Sequence, residues 1–257
     1  MRAGLVLLVP FAVACGPTAD KPAASADSAP AAAPAAAAAP AGPRAIVTVI
    51  YLPPKDTAAF EKYYRDVHLP LVSAGQGEIG FTSAELTRFT STLDGKAPTF
   101  YRQAELYFGS MDDLKRGTAT PAFKKVGDDL ANFATGGLMG MIATETGSES
   151  GEPCPALVTV IYEHPKDHDA FEKYYADTHL PLVTAGQGEI GFQRADLTKF
   201  DSNLDGSPAA KYRQAELCFP SSDAVKKGTA TPAFKKVGDD LGNFASGGLT
   251  ALIGVQQ

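Results

Sequence analysis

The hydrophobic pattern of residues 45–146 predicts a strand, a helix, two strands, a second helix and a final strand. Residues 46–51 are a β-branched run typical of a strand. Asp56 can cap the helix that follows, and Pro70 is expected to end its regular part. Four apolar residues recur at helical spacing and should face inward: Phe60, Tyr64, Val67 and Leu71.

The pattern continues with two strands joined by a turn. Residues 79–89 and 101–108 predict strands, and residues 93–95 a turn between them. Ser110 opens a short helical turn, Thr120 and Pro121 start a second helix, and residues 138–143 predict the last strand. The order βαββαβ is that of the ferredoxin-like fold, of class α+β.

A sheet of this kind carries helices on one face only, so its other face must be covered. On the third strand Ala104, Leu106 and Phe108 form an apolar side suited to the helices. The opposite side alternates polar and aromatic residues: Tyr101, Gln103, Glu105 and Tyr107. We therefore expect two such sheets to face each other within a barrel.

The second sheet is supplied by the same chain, because the sequence repeats itself from Val47 onward without an insertion. Tyr51 matches Tyr162 at an offset of 111 positions (162 − 51 = 111), and about two-thirds of the aligned residues are identical. Such a period is too long for a solenoid unit, so each copy is a complete domain. The expected domains are 45–146 and 156–257, with 147–155 as linker.

Composition narrows the function classes. Apolar residues make up 44% of the chain and the net charge is −6, so no basic field exists to bind nucleic acid. No Gly-rich phosphate loop, CxxC pair or Ser-His-Asp motif is recognisable, and no cofactor is expected.

The first 15 residues resemble the signal peptide of a bacterial lipoprotein. Arg2 precedes a short apolar stretch, and residues 12–14 place small side chains before Cys15, the candidate lipidation site. An ordinary secretion signal cut near Ala14 is the alternative. Gly16 favours the outer membrane, and the Ala/Pro-rich residues 16–44 predict a disordered tether to the folded part.

Three motifs of each copy together resemble the EthD-domain family of the dimeric α+β barrel superfamily. In the first copy they are FEKYY followed by HLPLV at 60–72, QAELYF at 103–108, and DL with NF at 129–133. The resemblance implies two ferredoxin-like domains that form an intramolecular dimeric α+β barrel. Family members usually build that barrel from two chains, whereas here an oligomer is not required. The superfamily includes monooxygenases, isomerases and binding proteins.

His68 and His179 are the candidate catalytic residues. Each lies four residues after an inward tyrosine of the first helix, where an imidazole can exchange protons near neutral pH. The alternative is structural: the ring would bond a terminal carbonyl and close the helix.

Other polar residues are candidates for ligand binding. Buried in a barrel, Glu105 and Glu216 would need a partner or a raised pKa, and Gln103 and Gln214 share their face. An exposed sheet face or a salt bridge with Arg102, Arg213 or a lysine is the alternative. Strand one ends with a tyrosine in each copy, Tyr51 and Tyr162. Each phenol either lines the cavity or packs in the core.

Two further features belong to the second copy only. His164 and His168 lie in one loop, where two histidines without a third ligand predict no metal site. Cys154 precedes strand one and Cys218 lies near the end of strand three, and these strands pair antiparallel in a ferredoxin-like sheet. A Cys154–Cys218 disulfide is therefore predicted. An exported protein can form and keep such a bond.

These features predict an envelope protein that binds a small apolar or aromatic molecule in its barrel, where the imidazole, amide and carboxylate groups named above are expected to surround one shared hollow. If it is an enzyme, the chemistry is of oxidoreductase (monooxygenase-like) or isomerase type. The alternative is a non-catalytic binding or accessory lipoprotein. The expected location is the bacterial cell envelope, where the protein would be anchored by lipid to the outer membrane and face the periplasm.

Overall fold

The computed structural model describes residues 43–147 and 154–257, which contain eight strands. The strands of the first copy are β1 (Ala45–Tyr51), β2 (Ser83–Thr92), β3 (Arg102–Phe108) and β4 (Leu138–Gly147). Those of the second copy are β5 (Ala156–Tyr162), β6 (Arg194–Asn203), β7 (Arg213–Phe219) and β8 (Leu249–Gln256).

The helices of the two copies correspond one to one. In the first copy they are α1 (Thr57–Tyr63), a π-helical turn (Tyr64–His68), α2 (Leu69–Ile79), α3 (Met111–Thr118), α4 (Pro121–Asp129) and a 3-10 turn (Leu130–Asn132). In the second copy they are α5 (His168–Tyr174), a π-helical turn (Tyr175–His179), α6 (Leu180–Ile190), α7 (Ser222–Thr229), α8 (Pro232–Asp240) and a 3-10 turn (Leu241–Asn243).

The eight strands close into one antiparallel barrel in the order β1-β3-β2-β8-β5-β7-β6-β4. Each copy contributes a four-stranded sheet, and the copies join where β2 pairs with β8 and β4 with β6. The α+β class and the intramolecular barrel of two ferredoxin-like domains are thereby confirmed. Closure leaves no edge strand exposed in the barrel.

Apolar side chains fill much of the barrel interior. Ile46 and Ile50 point inward from β1 and pack with Phe89, Phe200 and Met141 from three other strands. Alternate residues of β1, such as Val47, point outward and pack under the helices. The sheet therefore separates two environments, the barrel interior and the layer between sheet and helices.

The first helix continues past Pro70, contrary to the sequence-based prediction. The π-helical turn makes this possible: the N–H of Leu69 donates to the carbonyl of Tyr64, five residues earlier. Pro70 then occupies the first turn of α2, where its missing N–H costs no hydrogen bond. The helix runs on to Ile79, so β2 begins at Ser83 rather than at 79.

The extra residue of the π-helical turn also changes which side chains face inward. Phe60 and Tyr64 are buried as predicted, but Val67 is 44% exposed. His68 takes the inward position and is 4% exposed. The prediction for Val67 was wrong because a wider turn rotates every following side chain about the helix axis.

Three predicted helix caps are present. The side chains of Asp56, Ser110 and Thr120 each accept a backbone N–H three residues later, at Ala59, Asp113 and Phe123. Tyr101, predicted on the barrel side, instead lies just before β3 and packs on Phe60 with ring centroids 5.3 Å apart.

The predicted signal peptide 1–15 with Cys15, the predicted tether up to residue 42 and residues 148–153 of the predicted linker lie outside the described residues. Among the helices that the structure describes, none combines the length and the hydropathy needed to span a membrane.

Candidate functional site

A histidine and an aspartate form a buried pair between the sheet and the helices of the first copy. Nδ1 of His68 lies 2.8 Å from Oδ2 of Asp129, which ends α4. The other carboxylate oxygen, Oδ1, accepts from the Tyr63 hydroxyl at 2.7 Å and from the Asn132 amide at 3.0 Å. The imidazole ring also packs on Phe133 at 4.7 Å, so its position is fixed from two sides.

The electrostatics of the pair favour a neutral imidazole beside an ionised carboxylate. Burial lowers the pKa of His68, and the hydrogen bond and charge of Asp129 offset this only in part. Burial alone would raise the pKa of Asp129, but hydrogen bonds from His68, Asn132 and Tyr63 outweigh it and the pKa is lowered. The carboxylate therefore accepts the Nδ1 proton, and Nε2 is left with its lone pair.

His68 lines a cavity of about 350 Å³ between the first sheet and its helices. The polar atoms of its lining come from few residues, among them Tyr51, Tyr64 and Gln76. The lining is otherwise aliphatic and aromatic: Val47, Val49, Leu69, Val72, Phe81, Leu86, Leu106, Phe123, Val126 and Leu130. Leu204 reaches this wall from the second copy. The volume and chemistry suit a small, largely apolar molecule.

The second copy repeats the pair. Nδ1 of His179 lies 2.8 Å from Oδ2 of Asp240, and Oδ1 accepts from Tyr174 and Asn243 at 2.8 and 2.9 Å. Burial lowers the pKa of His179 in the same way. The structural alternative for both histidines, a bond to a helix-terminal carbonyl, does not occur, since the helix continues and the partner is a carboxylate.

The predicted glutamates and glutamines lie inside the barrel. Gln103 and Glu105 of β3 and Gln214 and Glu216 of β7 are all at most 4% exposed. The amides cross between copies: Nε2 of Gln103 donates to Glu216 at 3.3 Å, and Nε2 of Gln214 donates to Glu105 at 3.1 Å. The exposed-face alternative is therefore excluded for these residues.

Burial determines the protonation of the two interior glutamates, Glu105 and Glu216. It raises the pKa of Glu105 to about 8, with the nearby carboxylate of Glu85 adding to the effect. Burial and the Glu105 carboxylate also raise the pKa of Glu216. Arg102 and Arg213 do not neutralise these groups, because each bonds a glutamate on the helix side, Glu61 and Glu172 respectively.

The expectation of one hollow shared by imidazole, amide and carboxylate is not met. His68 lies on the helix side of the sheet, whereas Gln103 and Glu105 point to the barrel side. Tyr51 is 1% exposed and stands with His68 on the cavity wall, and it also packs edge-on against Phe60. Tyr162 packs equivalently against Phe171.

The sites specific to the second copy have structural partners. Nε2 of His164 lies 2.7 Å from the carbonyl oxygen of Ala209, and His168 stacks on Tyr212. Cys154 and Cys218 form a disulfide with Cα atoms 5.3 Å apart, where β5 pairs with β7.

Sequence reasoning missed Asp129 and Asp240 as site residues. Both lie in the repeated segment GDDL, three residues before an asparagine that bonds the same carboxylate. The signal was the intact repetition of an aspartate and an asparagine at the end of an amphipathic helix. Nothing local to that segment indicates the histidine 61 residues earlier.

Comparisons with known proteins agree with this architecture. The family model described as the EthD domain matches residues 52–137 and 163–248. An uncharacterised 11.0 kDa protein from the thcB-thcC intergenic region of Rhodococcus erythropolis is 40% identical over 95 residues, which are 37% of this chain and 88% of that protein.

Similarity to this chain is also found among solved structures. An EthD family protein from Bacillus halodurans is 26% identical, with 43% of this chain and 98% of that chain covered at a TM-score of 0.35. An anthrone oxidase-like protein is 14% identical, with 84% of this chain and 91% of that chain covered at a TM-score of 0.55.

Proposed function

We propose that this chain, which belongs to the EthD-domain family, binds a small apolar or aromatic molecule between its first sheet and its helices. There it removes a proton from the bound molecule. The observation that carries the proposal is the hydrogen bond from Nδ1 of His68 to Asp129 at the wall of an apolar cavity.

The dyad suits the role of a general base. With Nδ1 bound to the carboxylate, Nε2 accepts the proton and the imidazolium that forms is stabilised by Asp129. Tyr64, whose pKa burial raises to about 12, stays protonated at the same wall. The apolar lining excludes water and strengthens the interaction between the dyad charges.

The first step fits two reaction classes. Returning the proton to another atom of the ligand gives an isomerisation. Transfer of electrons from the deprotonated ligand to molecular oxygen gives an oxidation, the class suggested by the name of the anthrone oxidase-like protein of the same fold. Oxygen would be the oxidant, and the dyad would supply only the base.

Anthrone is a suitable probe because it is a weak carbon acid of aromatic character. We would follow its deuterium exchange in D2O by NMR and its oxidation by oxygen uptake. The double variant His68→Ala/His179→Ala should lose about 10²–10⁴-fold in exchange rate. Exposed Asp112→Asn serves as the control variant that retains it.

The binding-only alternative gives a different result. If anthrone binds but exchanges no faster with wild type than with the double-alanine variant, the dyad is not a base and the protein is a carrier or accessory protein. If neither anthrone nor a panel of small aromatic compounds binds, the cavity proposal fails.

Location is a separate proposal. We propose a lipid anchor at Cys15 that holds the barrel at the periplasmic face of the outer membrane, supported by the residues before Cys15 and by a disulfide suited to an oxidising compartment. Cys15→Ser should abolish labelling by radioactive palmitate and release the protein from membranes, while Cys154→Ser should keep both. Release without any prior labelling would favour an ordinary secretion signal.

A further inference from the structure

One layer of the barrel interior collects oxygen atoms from both copies. In the first sheet Thr48, Glu105 and Glu85 lie side by side on β1, β3 and β2. In the second sheet Thr159 and Glu216 take the matching positions on β5 and β7. We infer that this layer is a binding site for one divalent cation, of the calcium class, held by Glu85, Glu105 and Glu216.

The carboxylates have the spacing that one ion requires. One oxygen from each of Glu85, Glu105 and Glu216 can be chosen so that all three lie within 4.8 Å of one another. Oxygens bound to a single Ca²⁺ at ~2.3–2.6 Å lie up to about 5 Å apart across the ion. Oxygens bound to Mg²⁺ at ~2.0–2.1 Å lie at most about 4.2 Å apart, so Ca²⁺ is the ion that accommodates the whole range of spacings up to 4.8 Å.

Uncharged oxygens beside the carboxylates point to the same conclusion. Oε1 of Gln103 and of Gln214 and Oγ1 of Thr48 are buried and have no hydrogen-bond partner in the described part of the chain. All three residues are at most 1% exposed. Because the Nε2 atoms of both glutamines bond the carboxylates, their Oε1 atoms lie beside the same cluster.

A buried acceptor without a donor costs about 1–3 kcal/mol. The two amide oxygens beside these three carboxylates have no donor in the described part of the chain, and a cation would supply positive charge to the amide oxygens and the carboxylates at once. The guanidinium of Arg194 lies 3.6 Å from Glu85 and 2.9 Å from Asp196.

The donor set selects the class of metal. Carboxylate, amide and hydroxyl oxygens suit hard ions such as Ca²⁺ and Mn²⁺, and no nitrogen or sulfur ligand takes part. Since Glu85 and Glu105 belong to the first copy and Glu216 to the second, an ion here would bind the two halves of the barrel together. This site is separate from the His68 cavity, so either proposal can fail alone.

The experiment uses the whole mature protein stripped with EDTA and titrated with CaCl₂ by calorimetry. We expect one ion per chain and a rise in Tm of about 5–10 °C when calcium exceeds its Kd about a hundredfold. Glu105→Gln/Glu216→Gln keeps the shape of both side chains and should lose at least 100-fold in calcium affinity. Exposed Asp112→Asn should bind calcium as wild type does.

Two results would overturn the inference. One is absence of binding by Ca²⁺ and Mn²⁺ up to millimolar concentration in folded wild-type protein, as judged by circular dichroism. The other is an unchanged calcium affinity in the double glutamine variant. If that variant does not fold, metal analysis of wild-type protein purified without chelator, with and without added CaCl₂, decides the question by the presence or absence of one bound ion per chain.

Discussion

Nδ1 of His68 and Oδ2 of Asp129 are 2.8 Å apart, although the two residues come from different helices and are 61 positions apart in the sequence. The second copy reproduces this distance between His179 and Asp240. Asp129 therefore determines which nitrogen of the ring carries the proton and which is left with its lone pair.

Replacing Asp129 by Asn should weaken catalysis more than binding. The amide keeps the shape but no longer favours the Nδ1–H tautomer, so the proton-transfer rate should fall by ~10²–10⁴-fold while the Kd of anthrone changes little. We would measure both in a His179→Ala background, which leaves one dyad. Nitrogen-15 NMR of His68 should report the loss of the Nδ1–H tautomer, and an unchanged tautomer with unchanged rate would contradict the role of Asp129.

The histidines should make folding stability depend on pH. Burial lowers the pKa of His68 and His179 below the ordinary 6.5, so the unfolded chain takes up their protons more readily than the folded chain. Their stabilising contribution is present above pH ~6.5 and is lost as the pH falls through their folded pKa values.

Glu105 acts in the opposite sense over an overlapping range, because its raised pKa, about 8, favours the folded state at low pH. The histidine effect is isolated by comparing wild type with His68→Gln/His179→Gln. The stability difference between them, from urea titrations, should shrink as the pH is lowered from 7.5 to 5. A difference independent of pH would show that the buried imidazoles do not titrate as described.

Gly117 is required by a close approach of two segments. A Cβ atom at this position would lie 2.1 Å from the carbonyl oxygen of Ile79, so Gly117→Ala should cost ~3 kcal/mol or more. Gly77 is the matched control, because a Cβ there meets nothing within 4 Å in α2. Gly77→Ala should stabilise by about 0.5–1 kcal/mol, and thermal unfolding of both variants checks the contrast.

The disulfide closes a stretch with a sequence separation of 64 residues. Chain entropy gives it a stabilising effect of about 4 kcal/mol, and measured values for such bonds are ~2–4 kcal/mol. Cys154→Ser/Cys218→Ser should unfold at correspondingly lower urea concentration. Dithiothreitol should shift wild type to the same midpoint and leave the double variant unchanged. Equal midpoints for all samples would mean that the bond is absent in the protein.

The fold was predictable because both copies carry the same strong periodicities and caps. The alternation of Ala104, Glu105 and Leu106 correctly placed carboxylate and apolar side chains on opposite faces of β3. It was harder to predict which side chains of the first helix face inward. The π-helical turn at Tyr64–His68 changes this, and the hydrophobic spacing before the turn does not reveal it. Val67 was therefore placed inward in error.

The site was predictable only in part. His68 follows from its position after Tyr64, but its pairing with Asp129 depends on how α4 packs beside the first helix. Likewise, the location of the cavity on the helix side depends on how completely Phe89, Phe200 and their neighbours fill the barrel. Both are consequences of side-chain packing, which a single sequence does not display.

Covalent continuity between β4 and β5 changes what this barrel can become. A barrel made from two separate chains dissociates on dilution and forces both cavities to carry the same residues. In this chain the two halves remain together at any concentration, and the sequence of each half can change independently of the other. Leu204 already contacts the first cavity from the opposite half, so a mutation in one repeat can tune the ligand preference of the other.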